Sequence, residues 1–148
     1  MKQILLTIAM MTMSLSLAAC TNNSSNDGDA KEEETKTVPQ WLGGLSPENA
    51  LEYMKNTPEL VIIDVREPKW IDRYFTGSMR IPWTEMERRY SEVPSDKPIL
   101  LNCGAGVVAP RAYKILQEKR KDLKSLCYIA GTPLFSEYNK WLKSNKEK

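Results

Sequence analysis

The chain of 148 residues contains no histidine. This absence excludes Ser-His-Asp triads, Cys-His nucleophile pairs and metal sites built on imidazole ligands. Any cysteine chemistry must therefore depend on backbone dipoles, lysine or arginine. A strong charge of either sign is also lacking, since 21 basic residues stand against 19 acidic ones. This balance gives no indication of a nucleic-acid partner.

Long apolar runs are scarce, and the longest lies near the N-terminus. It extends from Ile4 to Leu17 and follows Lys2, which is the layout of a signal peptide rather than of a membrane span. The ending Leu17-Ala18-Ala19-Cys20 resembles the lipobox of bacterial lipoproteins. That resemblance implies cleavage before Cys20 and lipidation of Cys20, including palmitate, which would anchor the protein outside the cytoplasm at the cell membrane or the outer membrane. A signal peptide cut elsewhere, or an uncleaved anchor, is the alternative.

The segment after Cys20 has no aromatic or large apolar residue up to Thr37. Such a segment cannot bury a core, so we predict a disordered tether over residues 20–37, after a signal peptide over residues 1–19. An acidic binding tail is the other interpretation. A single folded domain is predicted over residues 38–145, acting as a monomer.

Short apolar runs alternate with helical patterns through this domain. Ser46 and Pro47 give an N-cap followed by proline at the first helical position. The predicted strands cover residues 38–42, 60–65, 78–81, 99–102 and 126–130, and the predicted helices cover 46–55, 68–74, 84–90, 110–121 and 133–143. This order predicts an α/β fold with a mainly parallel sheet and with ligand sites at the carboxyl ends of its strands.

One of these strand ends carries a cysteine. The apolar run Ile99–Asn102 stops at Cys103, and a loop of small residues then leads into a helix. A thiol that faces the free amides of a helix start ionises more easily, and only the thiolate is a good nucleophile. The alternative is a buried core cysteine before an ordinary turn.

Three segments together resemble the rhodanese-like domain family. Asp64-Val65-Arg66-Glu67 is followed by Tyr74-Phe75-Thr76-Gly77-Ser78-Met79-Arg80-Ile81-Pro82, similar to the family's Asp-Val-Arg-Glu and His-Ile-x-Gly-Ala-x-Asn-Ile-Pro. The loop from Cys103 to Ala109 aligns with the family's Cys-x-x-Gly-x-Arg-Ser, and Cys127 to Thr132 resembles its last strand. The resemblance covers about Val38 to Lys143.

This resemblance implies a three-layer sandwich with helices on both faces of the sheet, and a sulfurtransferase mechanism. Cys103 would take sulfur from a sulfane donor such as thiosulfate as a persulfide and pass it to a thiol or cyanide. The partners would be a small sulfur donor or a partner thiol, with no cofactor and no metal. The residues that would surround the sulfur are Gly104, Ala105, Gly106, Val107 and Val108.

The chain departs from the family at two positions of this loop. Val108 replaces the loop arginine and Ala109 replaces the following serine, so an anionic donor loses a forked cationic partner. Arg111 is a candidate substitute, because helical side chains lean towards the N-terminus; an exposed arginine packed on its helix is the alternative. Asp64 and Arg66 are expected to support the loop rather than to touch substrate.

Two other functions stay open beside the sulfurtransferase: a redox or sulfur-carrier protein without efficient turnover, and a catalytically weak binding module. A cysteine-dependent phosphatase is excluded, because the arginine it needs six positions after Cys103 is Ala109 here. Cys127 is predicted to pack in the core, with a resolving thiol as the alternative. The four tryptophans are predicted to cover the edges of the core.

Overall fold

The structure is a computed structural model, and it describes residues 39–146. The signal peptide, the lipidated Cys20, the tether and Val38 lie outside the described residues. They therefore remain predictions. Within the described part, no helix has the length and apolar character needed to cross a membrane.

A parallel sheet forms the centre of the described domain. Each strand is short and largely apolar, as expected for strands covered on both faces. The strands are β1 (Gln40–Leu45), β2 (Val61–Asp64), β3 (Met79–Arg80), β4 (Pro98–Asn102) and β5 (Ser125–Ile129). Their spatial order is β1-β5-β4-β2-β3, and every neighbouring pair is parallel.

Helices cover both faces of this sheet. They are α1 (Pro47–Asn56), α2 (Met86–Arg89), α3 (Ala109–Lys119) and α4 (Phe135–Lys146). One apolar cluster joins α1 and α4 to the sheet through Met54 and Phe135, and a second joins α2 and α3 through Met86 and Leu116. The predicted α/β sandwich of three layers is therefore confirmed.

The start of α1 follows the predicted capping chemistry. The Ser46 hydroxyl accepts a hydrogen bond from the Asn49 amide at 3.3 Å, and Pro47 occupies the first helical position. A side-chain cap of this kind satisfies one of the free amides of the first turn. The helix begins and ends within one residue of its predicted bounds.

The first strand is longer than predicted. We expected it to end at Leu42, before two glycines, but β1 continues to Leu45. Gly43 has a φ of +70° and lies where the register with β5 shifts, so the strand passes through a bulge instead of ending. The glycine that reads as a strand end in the sequence is thus a bulge position inside the strand.

The helix predicted over residues 68–74 is wrong. Only one 3-10 turn forms, at Pro68–Trp70. The carbonyls of Trp70 and Arg73 accept hydrogen bonds from the Arg66 guanidinium, and the Asp72 carboxylate accepts from the Arg73 amide at 2.9 Å. These side-chain bonds replace the helical ladder, so the segment runs as a loop beside the end of β2.

Candidate functional site

The carboxyl ends of β2 and β4 lie side by side at one edge of the sheet, because these strands are parallel neighbours. The loops that follow them border a cleft of about 500 Å³. Six of its lining residues belong to the predicted set: Arg66, Cys103, Gly104, Ala105, Val107 and Val108. The sequence therefore predicted one wall of the cleft, the one that carries the thiol.

Cys103 occupies the first position after β4 and lines this cleft. Only 2% of the residue is exposed, and it packs in the apolar cluster under α3. The expected reactive thiol is therefore not an open surface group. A reagent must approach the Cys103 thiol through the cleft, so the residues that line the cleft determine which reagents fit.

The loop after Cys103 keeps its amides available. Within residues 39–146, none of the amides of residues 104–108 donates to a backbone carbonyl. Gly106 has a φ of +75°, and a Cβ there would lie 2.5 Å from the Gly131 nitrogen. Glycine thus lets the loop turn and press against the chain after β5, while its N–H groups stay free to receive an anion.

The helix that follows also contributes one free amide. Val108 is the N-cap of α3, and no side chain caps this end. The Val108 carbonyl accepts from the amides of Arg111 and Ala112, which starts the helical ladder. Pro110 has no N–H, so Ala109 carries the one first-turn amide before Arg111, at the positive end of the helix dipole that favours a negative sulfur.

Beneath the loop, Asp64 and Arg66 form a buried ion pair. Asp64 is fully buried and Arg66 is 6% exposed. The Asp64 carboxylate accepts from Nη2 of Arg66 at 2.7 Å and from Nε at 3.0 Å. The hydrogen bonds that Arg66 donates to the Asp64 carboxylate raise the pKa of Arg66 above its usual value. Both charges are therefore held inside the protein.

Arg66 also fastens the loop after β2. Its Nη1 donates to the Trp70 carbonyl and to the Asp72 carboxylate, both at 3.3 Å, and its Nη2 donates to the Arg73 carbonyl. With the bonds to Asp64, all five N–H groups have protein acceptors. Arg66 thus shapes the cleft and has no donor left for a ligand, which fits the supporting role expected for it.

Arg111 lies beside the cleft but does not line it. Its guanidinium packs over the Trp83 ring, 5.1 Å from the ring centre. Trp83 in turn lines the cleft and packs against the core around Cys103. Arg111 therefore braces one wall, and its expected role as a substitute for the loop arginine remains a prediction.

The sequence did not predict the other residues that line the cleft. They belong to no single motif, although Glu67 ends the Asp64–Glu67 segment: Glu67, Trp70, Asp72, Arg73, Trp83 and Phe135. Trp70 is 65% exposed, so it does not cover a core edge as predicted. The parallel order of β2 and β4 was the available indication, because it brings the two following loops to one edge.

The carboxylates of the cleft are occupied by hydrogen bonds. Glu67 accepts from the Thr84 hydroxyl at 2.6 Å. Asp72 accepts from the Arg73 amide, and hydrogen bonds from backbone amides hold the pKa of the Asp72 carboxyl below its usual value. Among residues 39–146, no three thiol or carboxylate side chains come together in a group that could hold a metal ion.

Cys127 lies on the other side of the sheet from Cys103. It is fully buried in the cluster under α1 and α4, whereas Cys103 packs under α3. Its thiol donates to the Ile99 carbonyl at 3.5 Å, and burial raises its pKa to about 12. Both cysteines are free. The structure thus places Cys127 in the core and separates it from the cleft.

No family model matches the chain. The uncharacterized protein YqhL of Bacillus subtilis is 34% identical over 58 residues, which are 38% of this chain and 46% of YqhL. The match thus spans less than half of that relative.

Solved structures resemble the chain over a larger part. A rhodanese-related protein from Thermoplasma volcanium has a TM-score of 0.51 at 20% identity, covering 68% of this chain and 91% of its own. The reduced CoADR-RHD of Bacillus anthracis has a TM-score of 0.51 at 29% identity, covering 69% of this chain and 17% of its own. A Rhodopseudomonas palustris protein described as a possible tyrosine phosphatase has a TM-score of 0.51 at 22% identity, covering 70% and 81%. The described domain has the rhodanese-like fold.

Proposed function

We propose that this protein is a sulfurtransferase that carries sulfur on Cys103. The thiol takes the outer sulfur of a sulfane donor and passes it to an acceptor thiol or to cyanide. One observation carries the proposal: Cys103 lines a cleft at the carboxyl end of β4, and within residues 39–146 the amides of the loop that follows it, 104–108, donate to no backbone carbonyl. The fold of the sulfurtransferase family supports the same reaction.

The proposed sulfur transfer follows from the environment of Cys103. With thiosulfate, the Cys103 thiolate attacks the outer sulfur, a new S–S bond forms, and sulfite leaves with the electron pair of the broken S–S bond. The resulting persulfide anion lies where amides of residues 104–108 and the start of α3 stabilise negative charge. Cyanide then attacks the outer sulfur and leaves as thiocyanate, which restores the thiolate. No histidine is needed at either step.

Thiocyanate release tests this proposal. The purified full-length chain, supplied with a polysulfide donor and cyanide, should release thiocyanate over many turnovers. Cys103→Ser should reduce the rate to background, because Cys103 is the one thiol among residues 39–146 that lines the cleft. Cys127→Ala is the matched control and should keep the rate within about twofold, since Cys127 lies on the other face of the sheet. Equal rates for the parent chain and Cys103→Ser would contradict the proposal.

A sulfur carrier without efficient turnover is the second candidate, and the charges of the cleft favour it. Both lining arginines are within salt-bridge distance of a carboxylate, Arg66 with Asp64 and Arg73 with Asp72. Val108 supplies no charge in place of the family's loop arginine. A chain that gains one sulfur on Cys103 but releases no thiocyanate would be a carrier.

A phosphatase is not supported, although one structural neighbour is described as a possible one. At 22% identity that likeness shows the fold alone. A phosphate clamp needs a free arginine six positions after the cysteine, and Ala109 stands there, fully buried. Arg66, which does line the cleft, has no uncommitted donor.

We also propose that the protein is tethered to a membrane through lipid on Cys20, outside the cytoplasm. The lipobox ending at Cys20 supports this proposal. In bacterial cells given a palmitate analogue, the parent chain should carry the label and sediment with membranes. Cys20→Ser should lose the label and appear in the soluble fraction. An unchanged distribution of Cys20→Ser would contradict the tether.

A further inference from the structure

The cleft offers a small dianion no buried cation that is free. All five N–H groups of Arg66 have protein acceptors. Arg73 is 66% exposed, and its Nε lies 3.5 Å from the carboxylate of the neighbouring Asp72, which is also exposed. A dianion such as thiosulfate would have to lose water and would gain only this solvent-screened guanidinium as a charged partner.

Two of the exposed residues that line the cleft are large and apolar. Trp70 and Val107 are 65% and 66% exposed, and both line the cleft although they come from different loops. Trp83, Val108 and Phe135 add further apolar surface. Exposed apolar groups that meet at one opening mark a ligand site more often than chance exposure.

The indole rings of Trp70 and Trp83 each contact a cationic side chain that does not line the cleft. Nζ of Lys69 lies 5.4 Å from the ring centre of Trp70, and the Arg111 guanidinium lies 5.1 Å from that of Trp83. Neither Lys69 nor Arg111 lines the cleft. Contacts of this kind are weak at exposed positions and favour the ring orientations seen here.

We infer that the cleft selects a sulfane donor whose outer sulfur is carried on an apolar organic body with at most one negative charge, and that Trp70 and Val107 determine this selection. The inference rests on the proposed function. The apolar body packs against the rim, while the outer sulfur reaches Cys103 and the loop amides. Removal of apolar surface from water supplies the binding energy that a free cation would otherwise supply.

Two thiosulfonate anions make this inference testable, because they carry the same charge and differ only in the organic group. With either methanethiosulfonate or benzenethiosulfonate, the Cys103 thiolate attacks the outer sulfur. The new S–S bond forms, the bond to the sulfonyl sulfur breaks, and the sulfinate leaves with the electron pair. One sulfur atom remains on Cys103 as a persulfide.

The measured quantity is the rate at which intact mass shows one added sulfur, with each donor below saturation. Each rate is divided by the rate of the same donor with a small free thiol, which removes the intrinsic reactivity of the donor. We expect benzenethiosulfonate to load the parent chain at least about tenfold faster than methanethiosulfonate, the factor given by about 1.4 kcal/mol of extra apolar burial.

Trp70→Ala should reduce this preference to less than about threefold, because the lost apolar contact slows benzenethiosulfonate more than methanethiosulfonate. Because Trp70 is largely exposed, its removal leaves the core intact. Leu42→Ala is the control: Leu42 is also exposed, at 43%, but lies on β1 and does not line the cleft. That variant should keep the preference of the parent chain.

The possible failures are distinguishable. Equal loading by the two donors, or a preference that Trp70→Ala leaves unchanged, would overturn the selection while the sulfurtransferase stands. Faster loading by thiosulfate than by benzenethiosulfonate would overturn it as well. If no donor adds sulfur to Cys103, the proposed function itself is wrong.

Discussion

The two cysteines of the folded domain differ in accessible chemistry although both are buried. Cys103 is 2% exposed and Cys127 is fully buried, so exposure alone hardly separates them. Their positions in the sheet distinguish the two cysteines. Cys103 follows the last residue of β4 and lines a cleft, whereas Cys127 is the middle residue of β5, under α1 and α4.

This difference separates two environments for a thiol in a parallel sheet. The carboxyl edge of the sheet adds loop amides and a helix start beside Cys103. The interior offers Cys127 only apolar neighbours and one carbonyl acceptor, and its pKa rises to about 12. The same side chain is a candidate nucleophile at one position and a core residue at the other.

The largest expected contrast is in alkylation. At pH 8 a thiol with a pKa of about 12 is ionised to a fraction of about 10⁻⁴, so Cys127 should react with iodoacetamide at least about 10³-fold more slowly than Cys103 in the native protein. Peptide mapping after timed labelling measures both rates. Denaturant should make the alkylation rates of the two cysteines similar. Similar rates in the native protein would contradict this difference between Cys103 and Cys127.

Next in size is the effect of Arg66→Met on stability. The substitution leaves the fully buried Asp64 carboxylate without its partner and releases the loop of residues 70–73, so we expect a loss of about 3–5 kcal/mol in the free energy of unfolding. Urea unfolding measures it. Arg73→Met, at a residue 66% exposed, is the control and should change stability by less than about 0.5 kcal/mol. A loss for Arg66→Met as small as that of the control would show that the carboxyl edge does not depend on this ion pair.

Gly106→Ala is expected to have an intermediate effect. A Cβ there would lie 2.5 Å from the Gly131 backbone nitrogen at a φ of +75°, so we expect about 1–3 kcal/mol of destabilisation together with slower sulfur loading of Cys103. Gly104→Ala is the matched control. A Cβ at Gly104 meets only Cδ of Arg66, at 3.7 Å, so that variant should fold as the parent does. If the two variants behave alike, the loop is not held against Gly131 as described.

Val108→Arg should act on the binding of the donor rather than on folding, and it should raise a rate instead of lowering stability. Val108 lines the cleft, and a guanidinium there would give thiosulfate the charge-assisted hydrogen bonds it lacks, about 1.5–3 kcal/mol. We expect thiosulfate to load Cys103 at least about tenfold faster, measured by intact mass. Val108→Leu, which adds volume without charge, should show no gain. A flat or reduced rate for Val108→Arg would mean that the missing cation is not what limits thiosulfate.

The sequence predicted the sheet and the position of Cys103 better than it predicted the other residues that line the cleft. Periodicity and capping place every helix and strand apart from β1 and the segment after Pro68, because those patterns are local. The sequence does not show that Gly43 lies at a bulge. The loop after Pro68 is held by hydrogen bonds from the Arg66 guanidinium instead of helical backbone bonds, and these contacts form only in the folded chain. Trp70 and Trp83 join the site for the same reason, since chain topology rather than a motif sets them near Cys103.

The site of sulfur addition tests the central claim most directly. The full-length chain is incubated with a polysulfide, trapped by alkylation under native conditions, digested and mapped by mass spectrometry. The account predicts one added sulfur on the peptide that contains Cys103, none on the peptide that contains Cys127, and no addition within residues 39–146 of Cys103→Ser. Sulfur on Cys127, or an unmodified Cys103 with every donor tried, would contradict it.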